Sequence, residues 1–124
     1  MEDGILYREE SYQIVAAAIQ VWKTLGYGFL EKVYENALAF ELRKRSTGVE
    51  LQKPLKVQYE GCNVGDYVAD MVVDGKIIVE LKSAKAIDSA HVAQTLNYLK
   101  ATGLRLGLIL NFSPKELQFK RVVL

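Results

Sequence analysis

The sequence predicts an α/β fold in which a mixed central sheet is flanked by helices. Three observations predict it. Two stretches of helical periodicity open the chain, a set of period-two apolar segments follows, and the connection from Lys82 to Leu104 is long enough to return as a parallel crossover. The elements read as two helices, three strands, a helix and two strands.

From about Tyr7 to Leu25, the residues Ile14, Val15, Ala18, Ile19, Trp22 and Leu25 recur at helical spacing, and Gly26 suits the stop. A second helix is expected from near Phe29 to about Lys44, with Val33, Ala37 and Phe40 on one stripe and Gly28 as N-cap. The pattern then alternates: Leu55, Val57 and Tyr59 interleave with Lys56, Gln58 and Glu60, the mark of a half-exposed strand. Glu60-Gly61-Cys62-Asn63 is turn-like. Strands from Asp66 to Val73 and from Lys76 to Lys82 come next. Asp88 or Ser89 can cap a helix reaching about Ala101, with Gly103 past its end. Leu104 to Leu110 is apolar enough to be buried on both faces. Ser113-Pro114-Lys115-Glu116 turns the chain into a last strand, Leu117 to Val123, and Pro54 and Pro114 are placed near segment ends.

A length of 124 residues gives one domain, 1–124. Half the residues are hydrophobic and a quarter charged, which excludes a disordered or fibrous chain. The formal net charge is +1, so nucleic-acid binding needs a local patch rather than a global field. Cys62 is the only cysteine, which removes internal disulfides and fits a reducing, cytoplasmic setting. No apolar run approaches the roughly 18 residues of a membrane span, and no signal-peptide pattern is present. Metal-type Cys/His clusters, phosphate loops and Ser-His-Asp signatures are absent from the sequence.

The chemistry concentrates in Asp70 to Lys82. Glu80 and Lys82 are two apart on a strand and share a face, while Ile77, Val79 and Leu81 form an apolar opposite face that should press on a helix. A plain two-residue Asp74-Gly75 loop would set Asp70 opposite Val79, away from Glu80. A bulged loop of Val73, Asp74 and Gly75 sets Val72 opposite Lys76 and Asp70 opposite Ile78, with Glu80 a same-face diagonal neighbour about 7–8 Å away. The bulged loop is the expectation. An exposed salt bridge is the ordinary explanation of Glu-x-Lys on a strand. Asp70 across a hairpin shifts the balance toward a site for a divalent cation beside a phosphate. On the third helix Gln94 and Tyr98 share a face, with His91 on the same side; a solvated polar face is the ordinary explanation, and orientation of a phosphate or a base is the functional one. Glu31 falls in the first turn of its helix, where the dipole favours acids, and Tyr34 and Glu35 share its face.

Gly28-Phe29-Leu30-Glu31-Lys32-Val33-Tyr34 resembles the pattern that names the GxxExxY proteins. Glu35-Asn36-Ala37-Leu38, Glu41 to Arg45, Gln52-Lys53-Pro54-Leu55, Ala69-Asp70, Val79 to Ser83, Gln94 to Leu99 and Gly107 to Phe112 are similar to that family in the same order. The likeness covers nearly the whole chain. That family is grouped with the PD-(D/E)XK nuclease-like superfamily. The resemblance therefore implies a restriction-endonuclease-like αβββαβ core with an extra N-terminal helix and Mg2+-dependent phosphodiester cleavage of DNA or RNA, with Mn2+ as a substitute. It implies Asp70 as the metal aspartate, Glu80 and Lys82 as the Glu-x-Lys, Gln94 and Tyr98 as a glutamine–tyrosine helix motif, and Glu31 as the acid of the early helix, with Glu35 as its substitute. Two positions depart from the pattern: Ala69 stands where the superfamily has proline, and Trp22 follows Val21 where the family has histidine.

On that reading Asp70, Glu80 and the backbone carbonyl of Leu81 hold the cation, with Glu31 contributing directly or through water. Lys82 orients the attacking water or offsets charge on the phosphorane. Gln94 and Tyr98 position the nucleic acid, and Tyr34 and His91 are further candidate substrate contacts. Two alternatives stand beside it: a catalytically silent nuclease-fold module that binds nucleic acid or a protein, and a homodimer paired through the edge of the last strand.

Overall fold

The computed structural model describes residues 5–124. In chain order the elements are α1 (Arg8–Leu25), α2 (Glu31–Lys44), β1 (Val49–Tyr59), β2 (Cys62–Val73), β3 (Ile77–Lys82), α3 (Ser89–Thr102), β4 (Leu106–Phe112) and β5 (Leu117–Val123). The five strands form one sheet in the order β1-β2-β3-β4-β5. Only β3 and β4 run parallel, joined by the crossover through α3. This is the expected mixed α/β sheet: α2 to β4 supply the αβββαβ core and α1 is the extra N-terminal helix. No described helix is long and apolar enough to cross a membrane.

The sheet is covered on both faces, which explains why β4 is buried along its whole length. On one face Ile14, Ala17, Ala18 and Val21 of α1 and Leu38, Ala39 and Leu42 of α2 pack against Ile77, Val79, Leu81, Leu108 and Leu110. The apolar face of β3 thus presses on helices as its alternation requires. On the other face Leu99 of α3 packs with Val72, Ile78 and Ile109. Close approach of α3 depends on Gly107: a Cβ there would lie 2.5 Å from the Thr95 methyl carbon. We expect Gly107→Ala to lower stability by about 1–3 kcal/mol through overpacking, measured by urea unfolding.

Several local expectations are corrected. The N-cap of α2 is Leu30, with Gly28 two residues upstream at φ 119° in the turn. The buried stripe of α2 runs through Tyr34, Leu38 and Leu42; Val33 and Phe40 are exposed. The Tyr34 hydroxyl donates to the Gly26 carbonyl at 2.6 Å, and this bond fixes the rotation of the helix. Ile19 of α1 is likewise exposed, while Trp22 donates its indole N–H to the Ser113 carbonyl at 3.0 Å and docks α1 on the β4–β5 turn. β1 begins at Val49 rather than Leu55, so Pro54 lies inside a strand. An edge strand tolerates it, because a missing N–H there need not break the sheet.

The β1–β2 hairpin bends across the sheet. Val49 and Leu51 pack with α1 and α2, but Leu55 and Val57 pack with the α3 layer. On β2 the same switch separates Met71 and Val73 from Ala69 and Tyr67. The bend falls at Gln52, whose φ of 50° is in the left-handed region, and at Asp70 across from it, between the pairs Leu51↔Met71 and Lys53↔Ala69.

Candidate active site

Asp70 sits where β2 parts from β3. The turn before it sets the register. Asp74 and Gly75 both take positive φ, 52° and 68°, and the Lys76 N–H donates to the Val73 carbonyl at 3.1 Å. Asp74 is tied to Gly48 twice, its N–H donating to the Gly48 carbonyl at 2.9 Å and its carboxylate accepting the Gly48 N–H at 3.0 Å. The extra residue of the hairpin is therefore Lys76, not Val73. Pairing starts at Val73↔Ile77 instead of Val72 opposite Lys76, and ends at Met71↔Val79. Continued one step, this register brings Asp70 opposite Glu80 itself, closer than the diagonal placement expected from a loop of Val73, Asp74 and Gly75.

Beyond Met71 the ladder is replaced by side chains. The Asp70 N–H donates to Glu80 Oε2 at 3.1 Å, and the Leu81 N–H donates to Asp70 Oδ2 at 2.9 Å. Each carboxylate thus satisfies a main-chain donor of the opposite strand, which holds the fork open without orphaned amides. Lys82 is half-buried and makes no ion pair within 4.0 Å among the described residues, yet its charge favours the ionised forms of both acids. Glu31 closes one end: its carboxylate accepts the N–H of Ser83, the residue after Lys82, at 3.2 Å. Glu35, one turn further along α2, is buried, accepting from Lys32 Nζ at 2.7 Å and from Gln52 Nε2 at 2.8 Å.

The acids crowd one another. Burial, then the charge of Asp70, pushes the Glu80 carboxyl up to about 7. Burial also raises Asp70; the Leu81 N–H opposes the shift and the charge of Glu35 adds to it. The neighbouring Tyr67 phenol is driven upward by burial and by the charges of Glu80 and Asp70, so it stays neutral and able to donate. Its hydroxyl is buried beside the Glu80 carboxylate without a hydrogen bond of good geometry, and its ring stacks on Tyr98 with centroids 3.4 Å apart.

Asp70, Glu80, Lys82, Leu81 and Glu31 come together as one fork. The other candidates divide. Tyr98 reaches the site through Tyr67, and Gln94 is exposed one turn before it. His91 belongs to the capping box of α3: its N–H donates to the Asp88 carboxylate at 3.0 Å and its Nδ1 accepts the Asp88 N–H at 3.3 Å. Tyr34 is corrected as a substrate contact. It is fully buried, stacked on Phe112 at 4.2 Å, with its hydroxyl engaged by the α1–α2 turn. Nothing in the sequence pattern marks Tyr67 or Gln52 for the site, while Glu35, the substitute for Glu31, is taken up by Lys32 and Gln52. Three residues before Asp70, Tyr67 has the wrong strand parity to share its face, and only the bend brings it to Glu80.

No three His, Cys, Asp or Glu side chains among the described residues cluster tightly enough to cage a metal ion. The donor chemistry nevertheless fits a hard divalent cation. Two crowded carboxylates hold a proton near neutrality, and a cation can take that proton's place.

A family model described as the PD-(D/E)XK nuclease superfamily matches residues 8–122. No curated protein matches. Among solved structures, the crystal structure of SSO0001 is similar with a TM-score of 0.54 at 16% identity, over 94% of this chain and 60% of that one. The chain thus spans about 60% of that protein's length, and at this identity the likeness is one of fold. Hjc, a Holliday junction resolvase from the archaeal hyperthermophile Archaeoglobus fulgidus, is 18% identical over 73% of this chain and 76% of that one, with a TM-score of 0.46.

Proposed function

Because the chain belongs to the PD-(D/E)XK nuclease superfamily, we propose that it hydrolyses phosphodiester bonds of DNA or RNA with Mg2+, or Mn2+ in its place, acting as a single catalytic domain. The observation that carries this reading is the interlocked pair Asp70 and Glu80 at the strand fork, with Lys82 beside it and unpaired.

Asp70, Glu80 and the main-chain carbonyl of Leu81 would hold the cation, with Glu31 at the rim. When bound, the cation supplies Lewis acidity toward the phosphate and a more acidic water. Lys82 would orient the attacking water and offset the negative charge that builds on the phosphate oxygens. The neutral Tyr67 hydroxyl donates to a phosphate oxygen, held by its stacking on Tyr98. Gln94 lies exposed on the same helix face and steadies the bound strand.

Purified protein should cut labelled oligonucleotides when Mg2+ or Mn2+ is added and not in EDTA. Absence of cutting across single- and double-stranded DNA and RNA would overturn the reading. Tyr67→Phe keeps the ring and removes the hydroxyl. We expect it to slow single-turnover cutting about 10- to 100-fold at saturating metal, as for one hydrogen-bond donor to a developing charge.

A catalytically silent module that binds nucleic acid or a protein is the second reading, favoured by the net charge of +1. The intact set of Asp70, Glu80, Lys82 and Gln94 argues against it. A homodimer is a further proposal, supported by the edge position of β5 and by its exposed Phe119 and Val123; sedimentation velocity tests it. The exposed free thiol of Cys62 fits a reducing compartment such as the cytoplasm.

A further inference from the structure

The Gly28, Glu31 and Tyr34 positions build a single device. Gly26 and Gly28 take φ of 73° and 119°, backbone that other residues enter only under strain, and these two glycines turn the chain between α1 and α2. Tyr34 clamps the turn at both ends: its hydroxyl donates to the Gly26 carbonyl at 2.6 Å and accepts the Phe29 N–H at 3.3 Å. Its ring is anchored in the core against Phe112. Glu31 ties the same segment to the candidate active site through the Ser83 N–H.

What this clamped turn holds out to solvent is apolar. Tyr27 is 50% exposed, Phe29 45% and Leu30 80%. Phe29 leans edge-on against Tyr34 at 6.0 Å, so part of its ring is fixed and part remains free. Exposed aromatic surface on a clamped turn tied to the proposed nuclease site suits the faces of nucleobases, which stack on any aromatic ring regardless of sequence. Base faces are covered by their neighbours within a duplex and are free only in unpaired nucleotides. With a net charge of +1 the chain has no strong global field for phosphates, and stacking would add affinity that does not depend on charge.

We propose that the Tyr27–Leu30 turn is a stacking platform for unpaired nucleotides next to the phosphate to be cut, so that the substrate class is single-stranded or strand-interrupted nucleic acid. The inference rests on the nuclease reading above and deepens it.

The test is titration of a 2-aminopurine-labelled single strand, and of the matching blunt duplex, with Ca2+ replacing Mg2+. The wild-type protein should bind the single strand more tightly and quench the probe. Tyr27→Ala/Leu30→Ala alters only exposed side chains, so its fold is expected to persist, with an unchanged melting temperature as the control. It should weaken single-strand binding at least tenfold, within the roughly 5- to 150-fold per base expected for lost stacking. Tyr27→Phe should restore most of the quenching when paired with native Leu30. Equal single-strand affinity in the folded double variant overturns the platform, while Mg2+-dependent cutting by the wild type leaves the nuclease reading standing. Tighter binding of the duplex also overturns it. A wild-type dimer that the double variant dissociates would make the turn a protein interface and end the proposal. Neither binding nor cutting by the wild type would remove the nuclease reading and the platform together.

Discussion

Lys82→Ala is expected to abolish phosphodiester cutting, lowering the single-turnover rate by about 10²–10³-fold, or roughly 3–4 kcal/mol of transition-state stabilisation. Lys82 is half-buried next to two acids yet forms no ion pair within 4.0 Å among the described residues. An ammonium held in that position is available to a developing anion instead of being consumed by a structural partner. Its loss also withdraws a positive charge that favours ionisation of both Asp70 and Glu80. Metal binding should therefore shift to higher pH, while the fold is retained, because no hydrogen bond among the described residues depends on this side chain. Lys82→Arg should recover only part of the rate, since a planar fork cannot replace a compact ammonium at a fixed point. A residual rate equal to the wild type's would assign the cutting to a contaminant.

Glu80→Gln carries the second large effect, of opposite sign in stability and in activity. The Glu80 carboxyl is raised from 4.5 to about 7, first by burial and then by the charge of Asp70. Between those two values the folded protein holds a proton that the unfolded chain has released. The stability linked to this group is present below about pH 4.5 and is lost as the pH rises to about 7; above that the folded protein bears the full penalty of the second charge. Glutamine has no charge to bear and still offers an oxygen to the Asp70 N–H. We expect the variant to be more stable than the wild type by about 1–3 kcal/mol at pH 8 in EDTA. The difference should shrink toward zero near pH 5. Urea unfolding at four pH values reads it directly. Saturating Mg2+ should reverse the order, since the wild type gains the linked binding energy and the variant does not. A variant destabilised equally at every pH would show that Glu80 is structural.

The layered fold was legible because its cause is periodic. The apolar face of β3, the fully apolar β4 and the crossover between them follow from alternation and length alone. Asp70, Glu80 and Lys82 could be read as neighbours on the same grounds. Register could not. It depends on Asp74 entering the left-handed region alongside Gly75, held there by two bonds to Gly48, 26 positions away. No local pattern marks Lys76 as the extra residue. The bend at Gln52 and Asp70 was hidden for a related reason: parity is conserved along a strand, but the layer a strand faces is not. That is why no pattern marks Tyr67. Tyr34, in the same motif as Glu31, reads as a candidate substrate contact because nothing local shows what buries it. Its partners are the carbonyl of Gly26 and the ring of Phe112, the second of them distant in sequence.

Anomalous diffraction from crystals soaked in Mn2+ tests the central claim most directly. A peak within coordination distance of the Asp70 and Glu80 carboxylates and the Leu81 carbonyl is the predicted result. Clear electron density for all three groups, with Mn2+ bound elsewhere or not at all at millimolar concentration, would contradict it.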